Sequence, residues 1–177
     1  MLRNTFQGYG LVARALHWSA AALLVGVLVL GLVVEEMAKG PARTAAMNWH
    51  QSLGFVLLVL MAVRLIWRLI DPPPAPEGGP LARRLAPLLH WALYGLAIAQ
   101  PLSGWLLTQA EGHELALFGS IPVPVLLAAS EPLEEILEGV HGTLWILLLI
   151  AVLGHVGAAL KHHFFDRDRT LVRMLRG

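Results

Sequence analysis

Residues 21–34 read AALLVGVLVLGLVV, fourteen in a row with neither a charge nor a hydrogen-bonding side chain. A bilayer core of about 30 Å needs about 20 mostly apolar residues in a helix. Four stretches of this chain meet that requirement, at about 13–34, 47–70, 85–108 and 141–160. No other feature constrains the fold as strongly. In lipid every backbone polar group must be satisfied within its own segment or a closed barrel. The runs are continuous rather than alternating, so they predict helices. The expected fold is therefore all-α: an integral membrane four-helix bundle forming a single domain over residues 1–177. The first run is too long and too uniform for a cleaved leader, and reads as an anchor that stays.

Composition agrees. Apolar residues make up 56% of the chain and charged residues 14%, where a soluble domain carries about 25% charged. The net charge of +1 gives nucleic acid nothing to hold. There is no cysteine, which excludes disulfides, thiolate zinc sites, iron–sulfur clusters and covalent haem attachment.

The segment from Asp71 to Pro80, DPPPAPEGGP, can only be a connector. A longer loop, Glu111 to Val140, contains a candidate short amphipathic helix, EPLEEILEGV. With four spans, both termini and the second-to-third connector share one side. That side holds eleven of the thirteen basic residues and four acidic ones; the other holds Lys39 and Arg43 with eight acidic residues. The positive-inside rule places both termini in the cytoplasm.

Ionisable groups inside spans are costly and mark function; here they are mostly histidines. His17 lies near the inner start of the first span and His50 near the outer start of the second. The fourth span carries His141 at its outer end and His155 near its inner end. Fourteen residues separate those two, which places them within about 40° of one helical face and about 21 Å apart along the axis. Depth then pairs His50 with His141 and His17 with His155. Two pairs of imidazoles facing across a bundle suit bis-histidine ligation of two haem irons. Zinc fits poorly, because it needs three or four ligands in one cluster. A lone histidine in a membrane helix can equally be a hydrogen-bonded packing residue, so the weight rests on the matched depths.

The fourteen-residue interval recurs from His17 to Gly31, His50 to Arg64 and His90 to Gly104. Gly31 and Gly104 would leave room for a flat macrocycle at the opposite level, as would Gly54 near His50. Arg64 would meet the inner haem and pair with a propionate, whereas Arg68 is expected to snorkel to the surface.

Taken together, Leu16-His17-Trp18, Trp49-His50, Val63-Arg64-Leu65-Ile66-Trp67-Arg68, His90 with Tyr94, Pro101-Leu102-Ser103-Gly104, and His141 followed by His155 and Lys161-His162-His163-Phe164-Phe165 resemble bacterial inner-membrane cytochrome b561. That group is related to the cytochrome b subunits of nickel–iron hydrogenases. The resemblance spans essentially the whole chain. It implies two non-covalent b haems with His17, His50, His141 and His155 as axial ligands. It also implies electron exchange with a membrane quinone, and an outer-side partner that is superoxide or a redox protein. The alternative is an anchor subunit of a larger dehydrogenase with no activity of its own.

For the quinone, His162 is the best candidate, seven residues and about 20° from His155 on the helical face; His90 and Arg14 are weaker ones. The outer carboxylates disfavour an anionic substrate such as superoxide and favour a cationic protein partner. The acidic segment Glu131–Glu138 itself reads as a solvated helix face.

Overall fold

The structure is a computed structural model describing all residues from Met1 to Gly177. It contains four long helices: α1 (Leu11–Glu36), α2 (Pro41–Ile70), α3 (Pro80–Ala110) and α4 (Glu131–Lys161). Each is long and apolar enough to cross a membrane. A minimal hairpin, β1 (Ala116–Leu117) with β2 (Ile121–Pro122), lies between α3 and α4. The C-terminus adds a π-helical turn, His162–Asp166, and a short α5, Thr170–Arg176.

Prolines open three of the long helices, Pro41, Pro80 and Pro132, at positions where the missing N–H costs nothing. The acidic segment expected as a separate amphipathic helix is the start of α4 itself. No turn residue intervenes between Val140 and His141, so the helix runs on, and the loop shrinks to residues 111–130.

Helices adjacent in sequence pack on one another, α1 on α2, α2 on α3 and α3 on α4. The core is small: Ala20, Leu57, Met61, Tyr94, Ala97 and the fully buried Leu148. Large aliphatic side chains such as Val25, Val29, Ile150 and Leu153 face outward. An apolar exterior around a thin core is what a helix bundle in lipid requires.

Both termini meet at one end, termed here the terminal face. Asn4 stitches the N-terminal segment to the α2–α3 connector, its side-chain N–H donating to the carbonyls of Asp71 at 2.9 Å and Pro72 at 3.2 Å. The buried Arg173 of α5 donates to the Ala75 carbonyl at 3.1 Å and to Glu77 at 3.0 Å. At the opposite end, Gln109 holds the 111–130 loop on the bundle. It donates to the Pro124 carbonyl and accepts from the Leu126 and Leu127 N–H groups.

Candidate functional site

α1 and α4 carry His17 and His155 at the level nearer the terminal face, and their ring centroids lie 6.2 Å apart. His90, from α3, completes a cluster there, 5.5 Å from His155. At the other level, α2 and α4 bring His50 and His141 to the wall of one cavity of about 960 Å³. That volume is at the upper end of the about 300–1,000 Å³ usual for small-molecule and cofactor sites. His17 and His155 are thus neighbours with His90 beside them, and His50 and His141 share one cavity wall.

The hydrogen bonds assign tautomers at the cavity level. His50 donates from Nδ1 to the Val27 carbonyl at 3.1 Å, which leaves Nε2 as a lone pair. Ser103 gives its hydroxyl hydrogen to the Gln100 carbonyl, so its oxygen accepts from His141 Nδ1 at 2.9 Å. The Nε2 lone pair of His141 accepts from the Gln100 amide at 3.1 Å. Both imidazoles are thereby set in the form that binds a metal through Nε2, with Nδ1–H anchored to an oxygen.

Glycines shape the same level. A Cβ on Gly31 would sit 2.9 Å from Cε1 of His50, and one on Gly104 would sit 2.9 Å from Cε1 of His141. The two glycines therefore make room for the imidazole rings themselves, one helix over. Gly54 lines the cavity and has open space where a Cβ would point.

Arg64 Nη2 donates to His17 Nδ1 at 2.8 Å, and its guanidinium lies 5.0 Å above the Tyr94 ring. The bond assigns the His17 proton to Nε2. Arg68, two residues from the end of α2, lies 5.3 Å from the Trp91 ring and 5.5 Å from that of Tyr94, within the range of a cation–π contact. Together with Tyr9 and Trp67, the two arginines line a small cavity of about 40 Å³.

His162 lies at the terminal face, its Nδ1 2.6 Å from Asp168 and 3.3 Å from Asp166. His163 points elsewhere, onto Phe164. Sequence reasoning does not reach Asp168. Positions six apart do not share a helical face, and only the π-helical turn and the left-handed Arg167 (φ 54°) return the chain to His162. Burial alone would raise the Asp168 carboxyl, but hydrogen bonds from Thr170 and His162 outweigh it and hold it below the usual carboxylate range. On the largely exposed acidic start of α4, Glu134 and Glu138 also help line the large cavity.

The profile of the family described as prokaryotic cytochrome b561 matches residues 8–177. The chain belongs to that family. Among its relatives, cytochrome b561 homolog 2 of Escherichia coli (strain K12) is 36% identical over 97% of this chain and 93% of its own. A protein of Yersinia pestis named probable superoxide oxidase CybB is 32% identical, over 90% of this chain and 97% of its own. Cytochrome b561 homolog 1 of the same E. coli strain is also 32% identical, over 90% and 92%.

This cytochrome b561 is thus a membrane electron carrier, and the family implies b-type haem. Its residues fit that group. The donor set is imidazole, which ligates haem iron without a covalent attachment to the macrocycle. The cavity walls also carry buried polar atoms without protein partners, Gln100 Oε1 and Trp105 Nε1. At the terminal-face level, the Arg64 contact to His17 Nδ1 must change before His17 can offer Nε2 as a lone pair.

Proposed function

We propose that the chain holds two b haems, one between His50 and His141 and one between His17 and His155, and carries electrons between an outer-side donor and a membrane quinone. The observation that carries this reading is the pairing of imidazoles from facing helices at two levels, with α4 contributing to both. Haem b, when bound between two imidazoles, supplies one-electron transfer with no open coordination position. The protein's share is position and polarity. Val27 and Ser103 orient the ligand rings at the cavity level, and Arg64 and Arg68 provide cations near the other. The membrane is the bacterial inner membrane and the terminal face is cytoplasmic, as the basic residues on that side favour. The quinone is taken up there, near His162, with His90 deeper in the same region. The test is haem stoichiometry by pyridine haemochrome on detergent-purified protein, followed by mixing of the reduced protein with a soluble quinone analogue. Two haems per chain and rapid reoxidation are expected. One haem, or none, overturns the paired-site assignment.

The likeness to a probable superoxide oxidase suggests superoxide as the donor, each anion leaving as dioxygen after giving up one electron. The cavity mouth opposes that approach. Glu35, Glu111, Glu114, Glu134 and Glu138 line it against a single arginine, Arg43, whose Nε is tied back to the Val34 carbonyl. A cationic redox protein fits this surface better. Reduction by superoxide is expected to speed up as salt is added, because screening relieves like-charge repulsion. Reduction that slows with salt would show a cationic approach that these residues do not provide.

A further inference from the structure

We propose that Asp168 is a positioning residue for quinone protonation: by accepting the Nδ1 proton of His162, it commits that imidazole to exchange protons through Nε2 at the terminal face. This rests on the quinone reading above and names a residue that acts through His162.

The geometry carries the assignment. His162 Nδ1 lies 2.6 Å from Asp168 Oδ2, and Nε2 has no protein partner. The other carboxylate oxygen, Oδ1, accepts the Thr170 N–H at 2.9 Å. The Asp168 N–H donates to the His162 carbonyl at 3.1 Å. The carboxylate is therefore locked by the backbone on both sides of the turn. Both side chains are mostly buried, 17% and 18% exposed, so their orientation is fixed rather than averaged by solvent. The backbone that joins them is a π-helical turn closed by a left-handed residue. Such turns are rare and are frequently found at functional sites.

The other charged groups around this imidazole are already engaged. Asp166, 3.3 Å from Nδ1, takes both short bonds from Lys161, at 2.7 and 2.8 Å. On the connector packed against the ring at Gly78, Glu77 accepts from Arg173 at 3.0 Å and from the Arg169 N–H at 2.8 Å. Asp168 is left as the carboxylate that sets the state of His162.

Conversion of a quinone to a quinol takes up two electrons and two protons. The electrons come one at a time from the outer-side one-electron donor by way of the bound haems. The protons come from cytoplasmic water. His162 gives a proton from Nε2 to a quinone oxygen, keeps its Nδ1 proton on Asp168, and recovers the Nε2 proton from solvent. A carboxylate behind an imidazole stabilises the cation formed in each cycle and holds the tautomer that completes it.

The test compares wild type, Asp168→Asn, Asp168→Glu, His162→Gln and the double variant His162→Gln/Asp168→Asn in full-length detergent-purified protein. Rates of quinone-analogue reduction are expressed per haem, so partial loss of folded protein leaves the comparison intact. Asp168→Asn is expected to retain its haems and its quinone KM, with the maximal rate down at least about tenfold. The pH dependence of its rate should also differ from that of wild type, since an amide cannot compensate charge on the imidazole as a carboxylate does. Asp168→Glu should recover most of the rate. In the His162→Gln background, removing Asp168 should change nothing further. Wild-type rate and pH profile in Asp168→Asn would overturn the positioning role alone. An equal loss in both backgrounds would do the same, by making Asp168 a structural brace. A wild-type protein that does not react with quinone overturns the quinone reading, and this inference with it.

Discussion

Purified His155→Ala protein is expected to carry one haem per chain where wild type carries two, with the remaining haem spectrally that of the His50–His141 site. The expectation follows from where α4 places its two imidazoles. His155 is the one ring within reach of both His17, at 6.2 Å, and His90, at 5.5 Å, and nothing else on α4 replaces it at that level. His141 is fourteen residues away, about 21 Å along the helix, and keeps its own Nδ1 bond to Ser103. Losing one axial imidazole removes half the donor set of a non-covalent haem. Unchanged haem content would dismiss His155 as a ligand.

The companion variants decide which ring faces His155. His17→Ala should also lose one haem, whereas His90→Ala should keep both. The opposite result would move the ligand from α1 to α3 and make His17, with Arg64 on its Nδ1, a hydrogen-bonded packing residue. The distances alone do not separate the two, and haem content does.

Much of this arrangement is legible in the amino-acid sequence. Four apolar runs allow only helices in lipid, and the connector at residues 71–79 has too many prolines to be anything else. The fourteen-residue interval on α4 depends only on helical periodicity, so the placing of His141 and His155 at two levels is legible too. Contacts that depend on side-chain choice are not. Helical periodicity does not give the contact of Arg64 with His17, nor those of Arg68 with Trp91 and Tyr94. The acidic stretch beginning at Glu131 carries the charge pattern of a separate surface helix. Its continuation into α4 depends on the absence of any break, which a charge pattern does not reveal. Asp168 is out of reach altogether, because its contact with His162 needs a local departure from 3.6-residue periodicity.

Gly104→Ala is expected to weaken the haem at the His50–His141 level by about 10–100-fold, the usual cost of disturbing the groups that orient a metal ligand. A Cβ there would lie 2.9 Å from Cε1 of His141, closer than side-chain carbons tolerate. The ring cannot swing away at no cost, because Ser103 holds Nδ1. Retreat breaks that bond and tilts the Nε2 lone pair. Gly31→Ala should act in the same way through His50, whose Nδ1 is fixed on the Val27 carbonyl. Gly26→Ala, on the same helix as Gly31 but with open space where its Cβ would point, is the control. There the substitution should leave haem content intact and favour the helix by roughly 0.5–1 kcal/mol. Haem titration into the apoprotein separates the cases. A Gly104→Ala protein that binds as tightly as Gly26→Ala would mean that the His141 ring moves when haem enters, and that Ser103 does not orient it in the loaded protein.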